Sequence, residues 1–245
     1  MTERTDGNIS GMRSDSPGND APLPPPLVEA LHGRFIVFEG PDGSGKSTQL
    51  RRFADRARAA GLEPVEVREP GGTRIGEAIR AVLLDDLGED VSVRAETLLY
   101  LASRAQLVER VIRPALDAGK LVLADRFMAS TVVYQGDAGG LDRAEIERVA
   151  PMVLGDTAPD LVVIFDVDQA TAASRLNPLL DRMEAKGAAF HARVRRGYLD
   201  LAEREPQRHA LIDATEPEQT VERRLIETLC ARLARAGDVQ NLGRQ

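Results

Sequence analysis

The sequence predicts an α/β fold: a five-stranded parallel sheet with helices on both faces. Two observations carry this. From Arg34 onward short apolar runs alternate with amphipathic helical stretches, and the first apolar run leads straight into a glycine-rich turn. Phe35-Ile36-Val37-Phe38 reads as a buried strand. Leu50, Phe53, Ala54 and Ala57 recur at helical spacing, and Gly61 sits where a C-cap belongs. Val65-Glu66-Val67 is a short strand. Ile75, Ala78, Ile79, Val82 and Leu83 mark a second amphipathic helix. A longer helix runs from about Val93 to Leu116 and ends by Gly119. Leu121 to Leu123 and Leu161 to Phe165 are buried strands, and Leu211-Ile212 is a final short one. Val221, Leu225, Ile226, Leu229 and Leu233 form a last helix, with Cys230 on its apolar side. Sheets of this kind bind ligands beyond the C-terminal ends of their strands.

Composition bounds the function. The chain has 245 residues, 42% of them apolar, which suffices for a core. Its formal charge of −7 argues against a protein that coats nucleic acid. The five-residue run Leu161–Phe165 is far short of the ~20 residues that cross a bilayer, so no membrane partner is expected. A single cysteine, Cys230, excludes an internal disulfide framework and fits a reducing cytoplasm. Lysine occurs only at positions 46, 120 and 186, while 29 basic residues are arginine, so each lysine stands out. Residues 1–32 hold a Pro22-Leu23-Pro24-Pro25-Pro26 run and two arginines against five acids, and read as a disordered leader. Residues 33–236 form the folded domain, and residues 237–245 a flexible tail.

The strongest signal follows the first strand. Gly40-Pro41-Asp42-Gly43-Ser44-Gly45-Lys46-Ser47 is G-x-x-x-x-G-K-[ST], the phosphate loop of P-loop NTPases. The glycines let the backbone curl so that N–H groups point inward as an anion nest. The following helix adds its positive dipole end. Lys46 can reach the β- and γ-phosphates, and Ser47 supplies a hydroxyl for Mg²⁺. A nucleoside triphosphate and Mg²⁺ are therefore expected. A GTPase is excluded by the absence of Asn-Lys-x-Asp, and a partition-type ATPase by Pro41 and Asp42 where an early lysine would stand.

Three further clusters face the same end of the sheet. They are Arg68-Glu69-Pro70-Gly71-Gly72-Thr73, Tyr100-Leu101-Ala102-Ser103-Arg104-Ala105-Gln106, and Asp125-Arg126-Phe127-Met128-Ala129-Ser130-Thr131 with Tyr134-Gln135-Gly136. With the phosphate loop and Leu180-Asp181-Arg182-Met183-Glu184, their order resembles the thymidylate kinase family, from about Arg34 to about Arg232. The resemblance implies γ-phosphoryl transfer from ATP to dTMP in a cytoplasmic homodimer. It assigns Tyr100 to stacking on thymine, and Arg104 to the base edge near the acceptor phosphate. Thr131 matches a base-edge contact, Ser130 and Gln135 second contacts, and Tyr134 an aromatic near the deoxyribose. Arg126 matches a clamp on the dTMP phosphate, and Asp42 a contact to the 3′-hydroxyl. Asp125 sits where a Walker B carboxylate holds Mg²⁺, and a salt bridge to Arg126 is its alternative. Taken alone, Tyr100 reads equally as a core aromatic and Arg104 as a solvated helix residue. Glu39 and Glu69 have no fixed role, and fixing the Pro-Gly-Gly turn is the plain alternative for Glu69. Arg80 fits a solvated face better than a phosphate contact.

The short lid segment, about residues 168–185, departs from the family pattern. It is about two residues short and carries only Arg175 and Arg182, both expected at the transferring phosphate. Asp181 and Glu184 match acidic positions near the acceptor and Mg²⁺. Either two arginines suffice, or Arg193, Arg195 or Arg196 reaches in, or the enzyme is slow. A weakly active nucleotide sensor, or a kinase for another monophosphate such as dUMP, is the alternative.

Overall fold

The structure is a computed structural model and describes residues 22–85, 88, 90–175, 183 and 186–234. In chain order it contains α1 (Pro25–Ala30), β1 (Phe35–Glu39), α2 (Lys46–Ala59), β2 (Val65–Arg68), α3 (Arg74–Leu84), α4 (Val93–Leu107), α5 (Arg113–Asp117), β3 (Val122–Asp125), α6 (Met128–Thr131), α7 (Arg143–Leu154), β4 (Leu161–Asp166), α8 (Gln169–Arg175), α9 (Ala188–Arg204), β5 (His209–Asp213) and α10 (Glu218–Leu229). Three π-helical stretches extend helices: Val108–Ile112 joins α4 to α5, Val132–Ala138 continues α6, and Cys230–Ala234 continues α10.

The strands form one five-stranded parallel sheet in the order β2-β3-β1-β4-β5. Each central strand is apolar on both faces because both faces are covered. Ile36 and Phe38 point into one core with Phe53, Ala54 and Ala57 of α2 and Leu225 and Leu229 of α10. Phe35 and Val37 point into the other, with Leu107 of α4, Val108, Ile112 and Val194 and Tyr198 of α9. The switch in strand order falls at β1, flanked by β3 and β4, and the phosphate loop leaves β1 at this point.

The reading of residues 1–32 as a disordered leader is corrected for residues 22–32. Leu23, Leu27 and Leu31 are 3%, 0% and 0% exposed and pack in the core that holds α2 and α10. Their four-residue spacing makes one apolar stripe on a helix, and the prolines before it occupy the first turn, where a missing N–H costs nothing. Residues 1–21 and 237–245 lie outside the described residues.

The long helix expected over Val93–Leu116 follows one path but changes hydrogen-bond register. Pro114 lacks an N–H and its ring crowds the carbonyl of Arg110, and the ladder widens to the π form just before it. Helices α7 and α9 escape a strand-and-motif reading. The first is mostly solvated: α7 buries only Ile146 and Val153, whereas α9 buries Phe190, Val194, Gly197, Tyr198 and Leu201. The ends of α7 were nevertheless written in the sequence, as the cap Asp142, which accepts from the Ala144 N–H at 3.0 Å, and Gly155.

Candidate functional site

A cavity of about 780 Å³ opens along the C-terminal edge of β1, β2 and β3. Among the residues expected from the sequence, Asp42, Lys46, Ser47, Tyr100, Asp125, Arg126, Ser130, Thr131, Tyr134 and Gln135 all line it. Three separate chain segments therefore converge on one space.

The phosphate loop supplies one wall. Gly40 has φ +142° and Gly43 φ +76°; a Cβ on them would meet the carbonyl oxygens of Phe165 at 2.5 Å and of Ala172 at 2.4 Å. Only glycine fits this curl. Gly45 at φ +83° starts α2, whose first turn carries no side-chain cap, so its N–H groups are available to an anion. Ser44 is buried, and its hydroxyl has no partner among the described residues. Pro41 faces a separate cavity between the loop, α8 and α9. Lys46 is 8% exposed, and its Nζ lies 3.8 Å from Asp125 Oδ1. The Ser47 hydroxyl donates to Asp125 Oδ2.

Asp125 thus faces the phosphate loop, and the alternative of a salt bridge to Arg126 is not what forms. Arg126 turns the other way because its backbone is left-handed, at φ +72°. Its buried guanidinium pairs with Asp42 and donates to Gly40 O at 3.2 Å, Ser130 Oγ at 3.0 Å, and Tyr134 and Tyr198 hydroxyls at 3.2 Å each. It lies 5.0 Å above the Tyr134 ring. Burial would raise the pKa of Asp42, but Arg126, Lys46 and the Tyr134 hydroxyl hold it at about 2. A left-handed backbone at a non-glycine residue costs energy, and these many partners hold it in place.

Glu39, left without a role by the sequence, holds this turn in place. It is fully buried and accepts from the N–H groups of Phe127 at 2.8 Å and Ser130 at 3.1 Å, and from the Ser130 and Tyr198 hydroxyls. Tyr198 comes from α9 and has no sequence signal beyond helical spacing.

Arg104 departs from its expected place. It is 1% exposed and does not line the cavity. Its donors go to the Glu69 carboxylate, the Met128 Sδ at 3.3 Å, Thr131 Oγ1 at 2.9 Å and the Phe127 carbonyl at 2.9 Å. Neither a solvated helix residue nor a direct base contact describes it: it lies behind the cavity wall and fastens Thr131. Glu69 is equally buried, and burial raises its pKa to about 7 against the pull of Arg104. It does more than shape its Pro-Gly-Gly turn. Arg80 also lines the cavity while donating to Pro70 O at 2.9 Å, so it is not a purely solvated residue. Met183 lines the cavity without having been expected there.

The lid is partly described. Arg175, on α8, donates to the carbonyls of Ala214 at 2.9 Å and Thr215 at 3.4 Å and does not line the cavity. Arg182, Asp181 and Glu184 lie outside the described residues. The possible substitutes are engaged elsewhere: Arg193 with Ala138 O, Arg195 with Asp166 in a two-point pair, and Arg196 with Asp200.

Comparison with known proteins matches this geometry. The family model described as thymidylate kinase matches residues 38–225. A thymidylate kinase of Deinococcus radiodurans is 47% identical over 194 residues, covering 78% of this chain and 93% of the relative. One of Pseudomonas fluorescens is 45% identical over 208 residues, covering 84% and 99%. The crystal structure of thymidylate kinase from Ehrlichia chaffeensis superposes with a TM-score of 0.67 at 32% identity, covering 81% of this chain and 98% of that one. The match spans the glycine-rich loop after β1, the turn at Arg126 and helix α4 alike, so the chain belongs to the thymidylate kinase family and is a nucleoside monophosphate kinase.

Proposed function

We propose that the chain transfers the γ-phosphoryl group of ATP to the 5′-phosphate of dTMP, with the phosphate loop holding the donor and the cavity beside it holding the acceptor. One observation carries this reading: Lys46 and Arg126 border the same cavity, and the charges of both act on a single carboxylate, Asp42. Transfer between two phosphates needs no strong base, because the attacking oxygen is already anionic. Catalysis then rests on positioning two anions and screening their repulsion. Lys46 screens the donor side. Arg126, pre-aimed by its backbone, screens the acceptor phosphate. Tyr100 offers a stacking face, Thr131 and Gln135 polar contacts for the base edge, and Tyr134 and Asp42 a boundary for the sugar. The weak-sensor alternative gains no observation here, and the relatives' shared name supports the kinase reading.

The donor set suits magnesium. Ser47 and Asp125 bring two hard oxygens together beside Lys46. No cluster of three or more His, Cys, Asp or Glu exists among the described residues, which fits an ion held mainly by nucleotide phosphates and water. Magnesium, when bound, would neutralise charge on the transferring phosphates. Glu184, outside the described residues, remains a proposed third ligand.

We also propose a cytoplasmic homodimer. No helix among the described residues is long and apolar enough to cross a membrane. Ile75 and Val82 of α3 and Leu98 of α4 are 56%, 41% and 62% exposed, and a second copy of the chain would cover them. Light scattering should give twice the chain mass, falling to one chain in Ile75→Glu.

A coupled ADP-release assay with ATP and Mg²⁺ tests the main reading. dTMP should be the preferred acceptor among dTMP, dUMP, dCMP, dGMP, AMP, CMP and UMP. Preference for another base would overturn the pocket assignment, and no turnover at all would overturn the enzyme.

A further inference from the structure

Gln135 lines the acceptor cavity while its Nε2 donates to Glu96 Oε1 at 2.8 Å. Glu96 is 1% exposed, in the first turn of α4. Lys186 Nζ lies 3.3 Å from Oε1 and 3.4 Å from Oε2 of that carboxylate, and 4.9 Å above the Phe190 ring. Lys186 can only donate, and it lies within reach of both Glu96 oxygens, so these serve as acceptors and admit only the NH₂ end of the Gln135 amide. The Oε1 end is then left to the cavity. Thr131 is set in the opposite sense. Arg104 can only donate, and it occupies Thr131 Oγ1 at 2.9 Å, leaving the hydroxyl proton for a cavity acceptor.

We infer that Lys186 and Glu96 are positioning residues that set the hydrogen-bond polarity of the base pocket, fixing Gln135 as an acceptor beside Thr131 as a donor. An acceptor beside a donor complements a pyrimidine edge that carries N3–H beside O4, as thymine and uracil do. Cytosine presents the reverse, an amino group beside a bare N3. The pair therefore selects against cytosine without touching the base. The inference rests on the dTMP-kinase reading of this cavity.

The test compares kcat/KM for dTMP, dUMP and dCMP in the wild type, Lys186→Met, Lys186→Arg and Glu96→Gln. Methionine keeps an apolar stem near Phe190 and removes the charge. Glutamine at 96 can donate as well as accept, so Gln135 is free to turn over. Lys186→Met and Glu96→Gln should each lower the dTMP:dCMP ratio at least ~10-fold, chiefly through a higher KM for dTMP. The dTMP:dUMP ratio should hold, since those bases share the edge. Lys186→Arg restores the charge and should restore the ratio. Lys186 is a quarter exposed, so its variants fold even where Glu96→Gln does not. An unmoved dTMP:dCMP ratio in Lys186→Met, or an equal loss on all three acceptors, overturns the inference alone. A wild type without dTMP turnover overturns the kinase reading, and this inference with it.

Discussion

Arg126 and Asp42 form an ion pair that ties the turn after β3 to the phosphate loop after β1. The turn after β3 and the loop after β1 are thus one connected unit at the edge of the cavity. Removing the Arg126 side chain while keeping the backbone separates that tie from the turn itself. Arg126→Gly accepts φ +72° without strain, so the turn persists. Its kcat with dTMP should fall at least ~100-fold, with the far-ultraviolet circular dichroism unchanged.

Lys46→Ala removes the single lysine of the phosphate loop, and turnover should fall at least ~100-fold as well. The lysine is paired only loosely, at 3.8 Å from Asp125, so little stability goes with it. Steady-state rates beside a thermal melt check both halves; near-normal turnover would remove Lys46 from the mechanism.

Stability in acid should report on Asp42. Its folded pKa of about 2 lies below the ordinary 3.8, so the folded state favours the ionised form. The resulting stabilisation is complete above about pH 4 and is lost as pH falls through 2. It amounts to about 2 kcal/mol, and Asp42→Asn should remove that part of the slope. Urea melts of both proteins at pH 2, 3, 4 and 6 measure it.

Arg104→Met should destabilise the fold at pH 7 by about 1–3 kcal/mol for each buried acceptor it leaves without a donor, namely Glu69, Thr131 and the Phe127 carbonyl, while Glu69, already raised to about 7, takes up a proton. Arg104→Met with Glu69→Gln should recover a large part of that loss. A double-mutant cycle in urea gives the coupling, and additive losses would refute it.

Leu27→Ala should cost about 2–5 kcal/mol, since Leu27 is fully buried between α1 and the main core. Chemical denaturation would show it. A neutral substitution would mean that α1 is dispensable.

How legible the site was depended on where each residue's partners lie. The phosphate loop was plain because its function is written in backbone conformation, and glycine is the residue that permits it. Asp125 and Arg126 stood out because they close and directly follow a strand, whereas Tyr134 stood out only through the motif that carries the resemblance. Arg104 was misplaced because its neighbours, Glu69 and Thr131, lie 35 and 27 residues away in the chain, and burial cannot be read from one arginine. Glu39 was missed as a structural hub for the same reason: its partners Ser130 and Tyr198 are 91 and 159 residues distant. In the fold, strands buried on both faces stood out as unbroken apolar runs. Helices such as α7, which bury two side chains, left almost no periodic trace. The α1 stripe was hidden by the prolines that begin it.

The contact between α1 and the Cys230–Ala234 turn has a consequence for engineering. Helix α1 leads into the N-terminal end of β1, whereas the nucleotide cavity opens at the C-terminal end. The two flanks of the folded unit are therefore neighbours on the side of the sheet away from the chemistry. A short linker from residue 234 to residue 22 could close the backbone into a ring, and new ends could be cut in a solvent-facing loop elsewhere. Such a permuted protein would carry reporters or immobilising tags without crowding either nucleotide.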